Sequence, residues 1–574
     1  MLPLEAGRNS REGPRADPRE PQPDARLDAA LEWHRAGKLK QACDAYRKIL
    51  KRTPRHAEAL HLFGLATFEL GRPERAAQLI AKAAALAPGN AVYRLHLGEC
   101  RRAAGNLDEA IAAYRAALAV DATFLPALAS LGNALKAQGK LEEAIACHER
   151  AAELAPESAE VTSNLAVALK DAGRIDEAAA RARESARLAP DHAEIQFNLG
   201  NVLLAAGAVE EAEAAFARAL EKNPRHIRAW CNRGIARREQ GQGREAAESL
   251  RGALALAPGW ADAHWNLGLA LLMEGNFAAG WAEYEWRRRI PGFAMPEPMG
   301  PAWDGAALAG RRLLLRAEQG MGDAIQFARY ARLARRSGAT VILECPPGLV
   351  RLFSHGDLCD AVVARGHRIE FDVEAPLMSG PHLLDPELRD CGALVPYLSA
   401  EPELAARWRA RLDAQPGFKI GICWQGNPAY RADARRSIPL GQFRALAGIP
   451  GVRLISLQKG FGAEQIAALS GEWQIEELGP DLDEDTGAFV DTAAAMANLD
   501  LVISSDTAAA HLAGALGVEA WVALGHAPDW RWGRRGETTP WYPTLRLFRQ
   551  SAPGDWNGVF ARIAAALSQR TAKA

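Results

Sequence analysis

The sequence is marked first by what it lacks. Its 69 Lys+Arg nearly cancel 70 Asp+Glu, so there is no charge excess to draw the chain to nucleic acid or an anionic membrane. No uninterrupted apolar run reaches the roughly 18–20 residues that a membrane helix needs. The opening "MLPLEAGRNSREGPRADPREPQPDAR" has no apolar core and does not read as a secretory signal; its prolines and charges predict a disordered leader over 1–25. Eight cysteines are present, Cys43, Cys100, Cys147, Cys231, Cys345, Cys359, Cys391 and Cys423, and none forms a C-x-x-C pair. Free thiols are therefore expected rather than a disulfide or metal framework, and the expected compartment is the cytoplasm.

What is present is a period of 34. Pro54, Pro88, Pro156, Pro190, Pro224 and Pro258 fall on one grid, with Ala122 at the skipped place. Gly64, Gly98, Gly132, Gly200, Gly234 and Gly268 fall on a second, with Ala166 in the gap. A third series, from Gly37 through Gly71, Gly105, Gly139, Gly173, Gly207 and Gly241 to Gly275, is unbroken, and five residues after each comes Ala or, once, Gly280. The unbroken glycines suit a left-handed turn between two helices, and the small residue beyond suits their close approach. Such a pair cannot bury its apolar face alone, so neighbours must stack. The three series resemble the tetratricopeptide repeat, in about eight units over 26–294.

Two residues before each place of the series that begins at Gly64 stand Leu62, His96, Ser130, Asn164, Asn198, Asn232 and Asn266. Four asparagines in successive units admit two readings. One is a consensus preference. The other is a groove ladder that grips a peptide backbone, since an amide both donates and accepts. A comparable ladder lines the repeat groove of protein O-GlcNAc transferases.

Beyond about residue 295 apolar strands alternate with helices and then restart after "RLDAQPGF". Alternation of this kind predicts parallel sheets covered on both faces, in two Rossmann-like halves, 295–415 and 416–574. Ligands then lie at the carboxyl ends of strands. Five loops lie there. "AEQGMGDAIQF" lacks the G-K-[ST] of a phosphate loop and the third glycine of a dinucleotide loop; Gly320 and Gly322 lead to Asp323, which reads either as a helix cap or as a general base. "SSDTAAAHLAGALG" ends a strand in Ser505, Asp506 and Thr507, a helix start suited to phosphate or a simple cap, with His511 one turn on. Arg431, Arg435 and Arg436 form a basic cluster fit for a diphosphate or for plain solvation. Gln458 and Lys459 follow another strand. In "GHAPDWRWGRRGETTPWYPTLRLFRQ" tryptophans interleave with arginines, as a nucleotide cover or a packed corner. The acidic run "DLDEDTG" reads as a solvated loop and no metal site is expected.

Together, strand–"GMGD", "SSDTAAAHLAGALG", "GWAEYEWRRR", "RRSIPL" and "DWRWGRRGETTPWYPTLRLFRQ" resemble the ADP-heptose:lipopolysaccharide heptosyltransferase group of GT-B glycosyltransferases, and within it a bacterial branch with N-terminal tetratricopeptide repeats. The resemblance implies an α-solenoid followed by an α/β GT-B-like domain: an acceptor-side half, 295–415, and a nucleotide-sugar half, 416–574. It implies Asp323 as catalytic base, Asp506 and Thr507 on the donor phosphates, and Arg436, with Arg435 beside it, on the diphosphate. Ala508 departs from the family's glycine. The expected reaction is inverting sugar transfer from a nucleotide-sugar to a hydroxyl, without an obligatory metal or other cofactor, on a protein acceptor held by the repeats. A non-catalytic peptide-binding adaptor is the alternative, and a lipopolysaccharide or other glycan acceptor a further one.

Overall fold

The computed structural model describes residues 25–430, 433–469, 471 and 473–572. The predicted leader and Arg431 lie outside the described residues. The chain divides into two compact units, 1–229 and 230–574. The boundary falls near the start of helix Ile227–Glu239 rather than at 294, so the last repeats belong to the same unit as the sheets.

The helical region runs as eight helix pairs, from Ala25–Arg35 with Leu39–Arg52 to Ala261–Met273 with Phe277–Tyr284. All eight glycines of the unbroken series have φ between 71° and 83°, the left-handed turn expected of them. The alanines five residues later are fully buried where the two helices meet. The broken glycine series has a separate cause. A Cβ at Gly200 would sit 2.5 Å from the Phe216 ring, and one at Gly234 would sit 2.6 Å from Leu250. Gly64 faces Ile80, Gly98 faces Tyr114 and Gly132 faces His148 in the same way. In the unit where Ala166 replaces glycine, the residue sixteen places on is Ala182. The small residue has moved from one helix of the pair to the other, keeping the contact filled once.

Among the described residues the sheet-bearing region holds ten strands, all paired in parallel. The first sheet contains β1 (Arg312–Arg316), β2 (Thr340–Cys345), β3 (Ala361–Ala364) and β4 (Val373–Pro376), in the order β3-β2-β1-β4. The second contains β5 (Phe418–Cys423), β6 (Val452–Ser456), β7 (Glu476–Glu477), β8 (Leu501–Ser504), β9 (Ala520–Leu524) and β10 (Leu545–Arg549), in the order β10-β9-β8-β5-β6-β7. That second order is the doubly wound one, with its reversal between β5 and β8, where such sheets open a crevice for ligands.

Several local expectations change. "GAEQIAALS", which reads as a helix, forms a short turn of 3₁₀ helix, Ala463–Gln465, among its described residues, and "WQIEEL", which reads as a strand, contributes just two residues of strand. "PTLRLFRQ", expected as loop, supplies β10. Nor is the acidic run merely solvated: Asp483 accepts from the N–H of Asp491 (2.7 Å) and of Thr492 (3.1 Å), capping helix Val490–Met496. All eight cysteines are free thiols. Among the described residues no helix is long and apolar enough to cross a membrane.

Candidate functional site

The loops after β1, β5, β8 and β9 converge. Asp323 occupies the first turn of helix Met321–Phe327, and Gly320 N–H donates to its Oδ2 at 3.0 Å. Neither Gly320 nor Gly322 has a positive φ, so no left-handed backbone requires glycine at either place. Gly320 is the N-cap, and Gly322 lies against the start of helix Ala508–Leu516, where an added Cβ would be 3.4 Å from Ala508 Cα and 3.5 Å from His511 Cδ2. This close approach brings Asp323 to the helix start that carries Asp506 and Thr507.

Arg531 ties the arrangement together, in the turn after β9 whose sequence admits a nucleotide cover or a packed corner. It forms an ion pair with Asp323, donates to Asp529 Oδ1 at 2.8 Å, and donates through Nε to Gln326 Oε1 at 2.6 Å. Its neighbours Trp530 and Trp532, with Trp541 and Tyr542, are all buried, so the segment is a packed aromatic corner with one cation projecting into the crevice. The signal available in the sequence was a charge flanked on both sides by tryptophan. Its partner 208 positions away was not legible.

Burial raises the Asp323 carboxyl above the ordinary range, and Arg531 opposes the rise without cancelling it. Asp506 is pushed up to about 6, by burial first and then by the Asp529 charge. His511 is driven well below its usual value by burial and by Arg531, Arg329 and Arg436, so it stands neutral. It bonds Tyr542 Oη at 3.1 Å and stacks on Trp532, with ring centroids 5.3 Å apart.

The helix start itself is open. Thr507 is the N-cap, yet its hydroxyl turns inward to Ser504 Oγ (3.1 Å) and Cys423 Sγ (3.7 Å) and makes no cap bond. Ser505 Oγ is buried without a hydrogen-bond partner. Uncapped amides and an unused hydroxyl at one helix start suit an anion. Arg436 borders this place. Its Nε donates to Asp433 Oδ1 at 2.9 Å, its guanidinium lies 4.9 Å from the Tyr430 ring centre, and its charge acts on both Asp323 and Asp506.

Other residues singled out in the sequence are occupied elsewhere. Arg435 pairs with Glu239 of the repeat helix at 2.8 Å. Gln458 accepts from the N–H of Trp424 and of Gln425, both at 3.0 Å, and so shapes the loop after β5. Lys459 turns to Leu482 O (2.5 Å) and Glu484 (2.8 Å). In the first unit, Asn198 donates to Ser163 Oγ at 3.1 Å and Asn164 is half-buried. In the second, Asn232 is half-buried, whereas Asn266 is buried and donates to Asp262 O at 2.9 Å, one turn back in its own helix.

Comparisons with known proteins bear on the helical region. A family model described as tetratricopeptide repeat matches residues 163–227 and 231–286, and one described as TPR repeat matches 132–173. The helical region is a tetratricopeptide array. A model described as anaphase-promoting complex, cyclosome, subunit 3, matches 35–117 of that array. The chain is 30% identical over 327 residues to Protein FlbA of Caulobacter vibrioides, covering 52% of this chain and 53% of that protein. It therefore spans about half the length of this curated relative. Among solved structures, the hetero-tetramer Cut9-Hcn1 matches at 20% identity and TM-score 0.36, over 44% of this chain and 50% of that one. YrrB, titled a TPR protein with an unusual peptide-binding site, matches at 24% identity and TM-score 0.27, over 33% and 96%. A tetratricopeptide repeat protein from Parabacteroides merdae matches at 15% identity and TM-score 0.38, over 43% and 97%.

Proposed function

We propose that the sheet-bearing region is a GT-B glycosyltransferase that moves a sugar from a nucleotide-sugar to a hydroxyl of a protein or peptide acceptor bound by the tetratricopeptide array. The observation that carries this reading is the placement of a basic carboxylate, Asp323, against an uncapped helix start at Asp506–Thr507, with Gly322 as the point of contact. A base and an anion cradle in one crevice are what an inverting transfer needs. The acceptor oxygen attacks the anomeric carbon and loses its proton to Asp323. The bond from that carbon to the diphosphate breaks, and its electron pair leaves with the nucleoside diphosphate. Arg436 and the free amides at the helix start stabilise the departing charge. Burial makes Asp323 more basic than a solvated carboxylate, which supports the role.

One observation favours the adaptor reading: both Asp323 oxygens are already engaged, one by Gly320 N–H and one by Arg531. Each oxygen keeps a second lone pair, so engagement lowers reactivity without abolishing it. A thermal-shift panel of nucleoside diphosphates and nucleotide-sugars on the full chain separates the readings. A ligand that binds only the folded state raises the melting temperature by mass action. The transferase reading expects a shift with at least one nucleotide; a flat panel favours the adaptor.

A further inference from the structure

Helix Ile227–Glu239, the first helix of the seventh repeat, ends in Arg237, Arg238 and Glu239, and the three serve different ends. Arg237 donates to Glu245 O (3.2 Å) and Ser249 Oγ (3.1 Å) inside its own repeat. Glu239 pairs with Arg435 in the loop after β5. Arg238 lies between them, half-buried; its side chain makes no hydrogen bond or ion pair among the described residues, and its Nε is buried without a partner. The groups whose charge or dipole it feels are Glu239, Asp529, Tyr430 and Arg435. Asp529, Tyr430 and Arg435 belong to the loops after β5 and β9, which also carry Arg436 and Arg531. The two acids near Arg238 are already taken, Glu239 by Arg435 and Asp529 by Arg531.

From this arrangement we infer that Arg238 is a ligand-binding residue that the tetratricopeptide array contributes to the crevice, and that it holds the diphosphate of a nucleoside-diphosphate donor. The inference rests on the transferase reading above. A guanidinium partly withdrawn from water, whose neighbouring acids are already paired to other arginines, is costly, and a bound anion lowers the cost. Arginine's fork suits phosphate oxygens. The residue is also firmly placed. Helix Ala261–Met273 of the next repeat packs on the Trp530–Trp532 turn, Trp281 meets Trp530 edge-on at 5.2 Å between ring centres, and Arg534 pairs with Glu274 at 3.0 Å. The site is consequently built from repeats and sheets together, and the repeats do more than carry an acceptor.

The test is calorimetric titration of the full-length chain with nucleoside diphosphates and the matching monophosphates, for wild type, Arg238→Ala, Arg238→Gln and, as a control on the same repeat pair, Arg244→Ala. The expected result is that whichever diphosphate binds wild type binds Arg238→Ala and Arg238→Gln about tenfold or more weakly. The monophosphate should lose less, ligand-free melting should be unchanged or raised, and Arg244→Ala should bind as wild type does. Undiminished diphosphate binding by a folded Arg238 variant overturns the inference alone, as does an equal loss for mono- and diphosphate together with lowered melting, which marks a structural role. If no nucleotide binds wild type, the transferase reading falls and the inference with it. Should Arg238→Ala fail to fold, Arg238→Gln, which keeps a polar side chain without the charge, decides by the same criteria.

Discussion

The two compact units bury polar groups in different ways. In the first, up to Ala229, the described residues bury no Asp, Glu, Lys or Arg, and four histidines, His34, His61, His96 and His148, are buried beside neutral Thr, Ser and Gln side chains. His61 and His96 bond at 2.7 Å and stack in parallel, and His148 fills a core position with neither ring nitrogen partnered. In the second, buried polarity includes ion pairs. Arg287, with a fully buried side chain, bonds Glu318 (2.9 Å), Ser379 (2.9 Å) and Glu285 (2.6 Å). Arg316 is held between Glu344 (2.6 Å) and Glu374 (3.0 Å). Stacked repeats make mostly local contacts and tolerate an imperfect core position in one unit. A crevice that must fix charges against one another needs a scaffold in which charges are already fixed.

Breaking the scaffold should show the larger effect. Glu318→Ala removes a fully buried partner of Arg287 and should cost about 3–5 kcal/mol of stability in denaturant unfolding of the full chain. A loss under about 1 kcal/mol would mean that the network does not hold this unit together. Breaking the repeat logic should cost less. Gly200→Ala pushes a methyl into the Phe216 ring and should cost about 1–3 kcal/mol. Gly200→Ala with Phe216→Ala recreates the Ala166–Ala182 pair, so the double variant should be less destabilised than the sum of the single ones. Simple additivity would refute the exchange of small residues between helices.

Acid should sharpen the contrast further. Burial lowers His61 to about 3, and His96 and His148 to about 4. Below about pH 6.5 the unfolded chain takes up protons that these folded histidines refuse. Stability therefore falls as pH drops from that value toward the folded pKa, by on the order of 2 kcal/mol per histidine at pH 5. The second unit has one such group, His511, and it is opposed by Asp506, whose raised pKa of about 6 makes the folded state the stronger proton binder between about pH 4 and 6. Hydrogen-exchange protection between pH 7 and pH 5 should fall in the first unit by more than in the second. Equal losses would show that the histidines are not the acid-labile element.

The repeats were legible because a 34-residue period states the same packing rule many times, and even its exception, Ala166, is compensated within the same helix pair. The parallel strands were legible as apolar runs. What escaped were elements set by tertiary contact alone. β10 hides in a segment rich in tryptophan and arginine, and "GAEQIAALS" has helical composition but only a 3₁₀ turn of fixed helix. The site was half legible. Asp323, Asp506, Thr507 and Arg436 stand out by motif and come together. Gln458 and Lys459 stand out equally and serve their own loops, while Arg531 and Arg238 have no local pattern that announces what they face.

The central claim is that Asp323 acts as a base in sugar transfer, and it is tested most directly by following release of nucleoside diphosphate from a panel of nucleotide-sugars, with wild type and Asp323→Asn. Wild type should turn over at least one donor. Asp323→Asn should bind that donor with similar affinity and turn it over about 10²- to 10⁴-fold more slowly. A wild type that turns over no donor, or an Asp323→Asn variant as fast as wild type, would contradict the account.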